Sequence, residues 1–286
     1  MTTARPIPSL LSRPGGGAPP EGVRLTDLLA LEPVDDDLFR TTATLDEPFS
    51  LYGGQVAAQA LMAAGRTVAA DRPPHSLHGY FLRAGDAGRP TAFQVHRERD
   101  GRSYSARRVV ATQDGETVFT LSASFHIGED GRDHSFSPAP DAAPADGLPA
   151  VRLPRLVSVE AREPAQPYPD SVWPTRFWAR CTAPLGDDPL VHAAALTYLS
   201  DVLSGLAPFR GADGTPMSSL DHAVWFHRPA RMDEWTLLDL VPRTVASGRG
   251  WYTGTLTAAD GSLRASLTQE QLFRGRRPDP GAPGTA

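Results

Sequence analysis

The chain has 286 residues, 40% of them hydrophobic. That is length enough for one large domain or two ordinary ones, with a core that needs no metal or disulfide staple. The net charge is −5 and all 28 basic residues are arginine, a mild balance that argues against nucleic acid or an anionic membrane as partner. The single cysteine, Cys181, excludes an internal disulfide and a Cys-based metal site.

Residues 1–22 are rich in Gly and Pro, with Gly15-Gly16-Gly17-Ala18-Pro19-Pro20 at their centre. They have little to bury and are expected to be disordered. They lack the charged-then-apolar pattern of a signal peptide. No run of about 18 apolar residues occurs in the chain. A cytoplasmic enzyme without a membrane span is the expectation.

A first block is expected over 23–127. It opens on a strand near Phe39-Arg40-Thr41-Thr42-Ala43-Thr44. Gly53-Gly54 then precedes a helical stripe of Ala57, Ala60, Leu61, Ala64 and Val68. After Asp71-Arg72-Pro73-Pro74 the period changes to two. Strands are predicted at His75–Leu82, Thr91–Arg99, Tyr104–Gln113 and Val118–His126, with Asp100-Gly101 and Asp114-Gly115 as turns. Residues 128–154, with Ser137-Pro138-Ala139-Pro140, read as a linker.

A second block, 155–276, repeats the plan before a short disordered tail at 277–286. Strands are expected at Leu156–Ala161 and Phe177–Thr182; the second ends close to Cys181, whose expected role is core packing. Asp188-Pro189 has the form of an N-cap followed by Pro at the first helical position. The helix is expected to run to about Leu206, where Pro208 stops it. Four strands follow, at Ser219–His227, Thr236–Val245, Trp251–Ala258 and Leu263–Phe273. Pro242 marks an edge or a bulge in the second of them, and Asp260-Gly261 a turn. Tyr80-Phe81-Leu82-Arg83 matches Trp225-Phe226-His227-Arg228 at an offset of 145 residues, so a duplicated unit is expected. One helix followed by an antiparallel sheet that wraps it is the hotdog arrangement. Two in one chain make an α+β double hotdog.

Several chemistries are excluded by motif. There is no G-x-S-x-G elbow, no H-E-x-x-H, no Cys/His metal spacing, no G-x-G-x-x-G and no P-loop. The second helix is more informative. Ala195, Leu196, Leu199, Val202, Leu203 and Leu206 make its apolar stripe, and Asp201 lies opposite. No Glu or Arg occurs between His192 and Phe209, so the helix reads as covered on both sides with one carboxylate kept inside. An unpartnered buried carboxylate costs several kcal/mol, so it usually has a task or a raised pKa. A solvated surface Asp is the bland alternative. In the strand after it, Ser219, Asp221, Ala223, Trp225 and His227 share a face by alternation. In the last strand Ala265, Leu267, Gln269, Gln271 and Phe273 do. Taken singly, Ser219 reads as a strand-edge hydroxyl and Gln269 as a satisfied buried amide.

Several segments together resemble the acyl-CoA thioesterase II family. In the first block they are Tyr52-Gly53-Gly54-Gln55-Val56, His75 through Arg83, and Arg99 through Val109. In the second they are Tyr198-Leu199-Ser200-Asp201, Leu220 through Pro229, and Thr268-Gln269-Glu270. The resemblance covers about residues 25 to 275 and implies the double hotdog fold. It implies hydrolysis of fatty acyl-CoA by a water held by Asp201, Ser219 and Gln269, with Ser219 standing where many members have Thr. One site per chain is expected, since no carboxylate of the first half matches Asp201. Gly53, Gly54 and Gln55 are candidates for contact with the thioester oxygen at a helix N-terminus. Arg102, Arg107 and Arg108 are candidates for the CoA phosphates, but alternation sends Arg107 and Arg108 to opposite faces. No metal or cofactor is implied, and a homodimer or homotetramer is expected. A hotdog hydratase or dehydratase would need a histidine beside the helix carboxylate, and His192 lies too far along the helix. A non-catalytic acyl-CoA-binding protein would bind without releasing thiol.

Overall fold

The computed structural model describes residues 22–45, 49–136, 138–153, 155–202, 204–209 and 217–273. The termini expected to be disordered, apart from Gly22, lie outside these. The chain begins with a five-residue helix α1 (Leu25–Leu29), β1 (Leu31–Asp35) and β2 (Leu38–Thr41). Only one strand was expected in this stretch. Helix α1 is too short to show a period, and the Asp27 carboxylate, accepting from the Arg24 N–H at 2.9 Å and from its guanidinium, holds its start. Strand β1 tolerates Pro33 because it lies at the edge of the sheet.

Helix α2 (Gly53–Gly65) is buried from Gly54 through Ala64. Its alanines present almost no bulk, so neighbours close on it from all sides. Strands β3 (Pro74–Phe81), β4 (Ala92–Asp100), β5 (Tyr104–Gln113) and β6 (Glu116–His126) complete the first half. Asp114 and Gly115 take φ of 49° and 83°, the twist of a two-residue hairpin turn. The described residues between 128 and 153 form no helix or strand; 128–136 are exposed, while part of 138–153 is packed. Ala145 joins Trp178 and Leu237 in a small apolar cluster, and Trp178 Nε1–H donates to the Ala143 carbonyl at 2.8 Å.

The second half contains β7 (Val159–Arg162), β8 (Arg176–Cys181), α3 (Pro189–Ser200), β9 (Met217–Ser219), β10 (Asp221–Phe226), β11 (Thr236–Ala246), β12 (Arg249–Ala258) and β13 (Leu263–Phe273). The Asp188 side chain accepts from Leu190 N–H and Pro189 opens α3. Cys181 is buried. The register shifts at Pro242, a bulge in β11.

The described strands form one antiparallel sheet in the order β1-β2-β4-β5-β6-β3-β10-β13-β12-β11-β8-β7, with β9 also on β13. Read outward from the β3–β10 seam, the two halves mirror each other. The offset of 145 carries His78 onto Ala223, and these two residues are directly paired at the seam. An approximate twofold axis therefore passes through this pair. This is the double hotdog. Phe93, Phe119, Phe125, Phe177, Leu61 and Leu196 are fully buried in its core, each worth roughly 1.5–3 kcal/mol of burial.

Several predicted elements are shorter than expected: β2 ends at Thr41 rather than Thr44, β7 begins at Val159 rather than Leu156, and two others bear on the site. Helix α3 stops at Ser200 rather than near Leu206, and Asp201 is its C-cap with φ −87° and ψ 49°. A continuing helix would use the Tyr198 carbonyl, which instead accepts the Tyr52 hydroxyl at 2.9 Å. The strand expected over 219–227 breaks at Leu220, leaving β9 and β10 as separate pieces. Ser219 is therefore not in alternation with Asp221, and turns toward the helices instead.

Candidate active site

Asp201 lies where the C-terminus of α3 meets the N-terminus of α2. The two helices can approach because α2 begins with glycines. A methyl group on Gly54 would lie 2.3 Å from the Tyr198 carbonyl oxygen. One on Gly53 would lie 2.2 Å from Asp201 Oδ2 and 2.8 Å from the Phe81 ring. The Tyr52 hydroxyl, just before α2, also reaches the Asp201 carbonyl at 2.8 Å. The first half of the chain thus fixes the backbone that carries the carboxylate of the second.

Asp201 is 1% exposed. Ser219 Oγ–H donates to its Oδ1 at 2.8 Å. Gln269 Nε2–H donates to the same Oδ1, and to Ser219 Oγ at 2.5 Å. The Gly54 N–H also donates to the carboxylate, at the positive end of the α2 dipole. Burial is the largest influence and pushes the Asp201 pKa up to about 6. Ser219, Gln269, the Gly54 N–H and the charge of Arg155 all oppose it. The outcome is a carboxylate whose proton affinity lies near neutrality and which is held by three donors.

The structure thus brings Asp201, Ser219 and Gln269 into mutual hydrogen-bonding contact, although they come from a helix end, a three-residue strand and the last strand. Gly53 and Gly54 meet the same carboxylate. Gln55 is buried behind them, and its N–H turns back to the Tyr52 carbonyl at 3.1 Å.

Three side chains around this group were not singled out in the sequence. His222 is fully buried, with Nδ1 3.0 Å from Gln269 Oε1 and Nε2 2.8 Å from Ser200 Oγ. The Tyr252 hydroxyl donates to Gln269 Oε1 at 2.5 Å. One signal for His222 was present: it alternates with Val224, so an inward Val implies an inward His. Tyr252 had the same signal, sharing a strand face with Leu256, whereas nothing comparable marked Ser200.

Other candidates are taken up structurally. His192 Nε2 meets the Gly186 carbonyl and its Nδ1 accepts from Met232 N–H. Arg107 is buried, and its guanidinium spans Thr67, the Arg99 carbonyl and Asp100. Arg108 pairs with Glu98 on the surface. Among the described residues no cluster of His, Cys, Asp and Glu could hold a metal, and no helix is long and apolar enough to cross a membrane.

Comparison with known proteins agrees with this geometry. The acyl-CoA thioesterase N-terminal domain family matches residues 45–126, and the acyl-CoA thioesterase C-terminal domain family matches residues 130–273. The chain is 33% identical to acyl-coenzyme A thioesterase 8 of Homo sapiens, over 90% of this chain and 92% of that one. It is 31% identical to acyl-CoA thioesterase 2 of Haemophilus influenzae, over 87% and 96%. Among solved structures it is similar to an acyl-CoA thioesterase II from Mycobacterium marinum, with 36% identity and a TM-score of 0.74, over 89% of this chain and 99% of that one. A hot dog fold protein from Alicyclobacillus acidocaldarius, 23% identical with a TM-score of 0.73 over 88% and 98%, shares the fold.

Proposed function

The chain belongs to the acyl-CoA thioesterase II family and is an acyl-CoA thioester hydrolase, and from that premise we propose that Asp201 is the general base for the attacking water, with Ser219 and Gln269 as its positioning partners. The observation that carries this reading is a fully buried carboxylate whose pKa is pushed up to about 6 and on which a hydroxyl, an amide and a helix N-terminus converge. At pH 7 such a group is ionised in roughly ten molecules for each one that is protonated.

In the proposed reaction the Asp201 carboxylate takes a proton from water as the water oxygen adds to the thioester carbon. The carbonyl oxygen becomes an oxyanion at the N-terminal end of α2. Gly54 N–H and Gln55 N–H already have acceptors, which leaves Gly53 N–H as the candidate donor. Collapse of the adduct breaks the C–S bond. The protonated Asp201 then returns its proton to the departing thiolate, a downhill transfer because thiols titrate near 8.5. The products are a fatty acid and free CoA, and no covalent enzyme intermediate is needed. A hydratase would need a histidine against Asp201, whereas His222 is bonded to Gln269 and Ser200 instead.

The test is thiol release from acyl-CoA substrates of graded chain length by wild type and Asp201→Asn. The variant is expected to fold and to lose ~10²–10⁴-fold in kcat. Wild-type turnover by folded Asp201→Asn would overturn the assignment.

A further inference from the structure

The Gln269 amide is useful to Asp201 in only one of its two orientations. Its NH₂ must face the carboxylate, which only accepts. Its Oε1 then faces away and needs donors of its own. Two groups surround that oxygen: the Tyr252 hydroxyl and His222 Nδ1. Tyr252 is kept protonated by burial and by the Asp201 charge. His222 is kept neutral, because burial pushes its pKa down to about 4. A neutral imidazole has one proton. If it sat on Nε2, the Nδ1 lone pair would face the Gln269 Oε1 lone pairs at 3.0 Å inside a dry core.

We propose that His222 is a positioning residue held as the Nδ1–H tautomer, which donates to Gln269 Oε1 and so locks the amide with its NH₂ toward Asp201 and Ser219. Ser200 is compatible with this tautomer. Its hydroxyl lies 2.8 Å from His222 Nε2 and donates to the Thr197 carbonyl at 2.9 Å; with Nε2 bare, the same proton turns to the imidazole instead. A directed chain results: Ser200 to His222, His222 to Gln269, Gln269 to Asp201. Every donor points toward the base. At the positions related by the twofold axis, the first half pairs Leu77 with Ala123, an apolar contact that could orient nothing. This inference rests on the role assigned to Asp201 above.

The experiment compares His222→Asn, His222→Leu and Asp201→Asn for kcat and KM in thiol release. It also records the imidazole ¹⁵N spectrum of the wild type, with His222 assigned by its loss in His222→Asn. The Asn side-chain nitrogen sits near the place of Nδ1, so His222→Asn keeps the donor. Leu is the residue the first half carries and has none. His222→Leu is expected to lower kcat about 10- to 100-fold, the scale seen when a supporting hydrogen-bond partner is lost, with KM little changed. His222→Asn is expected to recover most of that loss, and the wild-type spectrum to show Nδ1 protonated and Nε2 bare. A bare Nδ1 would overturn the proposal. So would a folded His222→Leu with wild-type kcat, or an Asn variant no better than Leu. If His222→Leu does not fold, the wild-type spectrum decides. Wild-type turnover by Asp201→Asn would overturn the catalytic reading, and the proposal with it. An inactive Asp201→Asn beside a fully active His222→Leu would overturn the positioning role alone.

Discussion

The two helices cross the core as a pair, and the approximate twofold axis makes their two meeting points counterparts. At one, the N-terminus of α2 meets the end of α3, and Gly53 lies against Asp201. At the other, the N-terminus of α3 meets the end of α2. There Leu190 lies against Gly65, its Cδ1 2.4 Å from where a methyl on Gly65 would be. Pro189 opens that helix and has no N–H to offer. The sheet behind it contributes Leu77 and Ala123 where the other end has His222 and Gln269. At one end the helix dipole is aimed at a buried carboxylate; at the other the N-cap carboxylate of Asp188 is exposed and the helices meet through hydrocarbon. Duplication supplied two equivalent places, and the proposed reading assigns the site to one of them. The apolar end stabilises, whereas the polar end gives up stability to hold a charge.

Adding one methyl group to each end tests this contrast most directly. Gly53→Ala drives Cβ into Asp201 Oδ2, so kcat in thiol release is expected to fall by at least ~10²-fold, as misplaced catalytic groups do. Gly65→Ala meets only the tip of a flexible leucine. It is expected to leave kcat near wild type and to lower stability by about 1–3 kcal/mol in denaturant unfolding. Equal loss of activity in both would mean that the two ends are not functionally distinct.

The polar end also carries a pH signature. The proposed base, Asp201, would work only when ionised, so kcat is expected to fall as pH drops through about 6, following its protonation. A flat profile from pH 8 to 5 would contradict this.

The last effect is on stability. Asp201 titrates near 3.8 when exposed and near 6 in the folded protein, so the folded state binds the proton more tightly. Its contribution is present in full below about 3.8 and is lost as pH rises through about 6. At pH 8 the ionised group costs about 2–3 kcal/mol relative to its protonated form. Asp201→Asn is therefore expected to unfold at higher denaturant than wild type at pH 8, while its activity is lost. A less stable Asn variant would mean that the three donors outweigh burial.

Much of the sheet was legible because its period is strict. Strands β5 and β13 have the bounds alternation predicts, and the Asp-Gly turn at 114–115 carries the φ values its residues favour. The offset of 145 marked the duplication, but not which strands meet at the seam between the halves. Segments with no period were missed. Helix α1 is a single turn, and β9 is three residues long. The length of α3 was misjudged because Leu206 continues the apolar spacing, while the helix is stopped by Tyr52, a residue of the other half.

By itself, the sequence determined the duplication, the wrapping sheets and the solitary charge on the second helix. Each is written in a local pattern of spacing or of missing polar residues, and a pattern of that kind needs no partner to be read. Only the tertiary structure decided what Asp201 faces. Ser219 reaches it through a strand break at Leu220, Gln269 from the last strand, and Gly53 from about 150 positions away in the other half. Its raised pKa, and the tautomer that His222 must adopt, follow from burial and from counting donors against acceptors. Those quantities exist only once distant segments share one dry pocket.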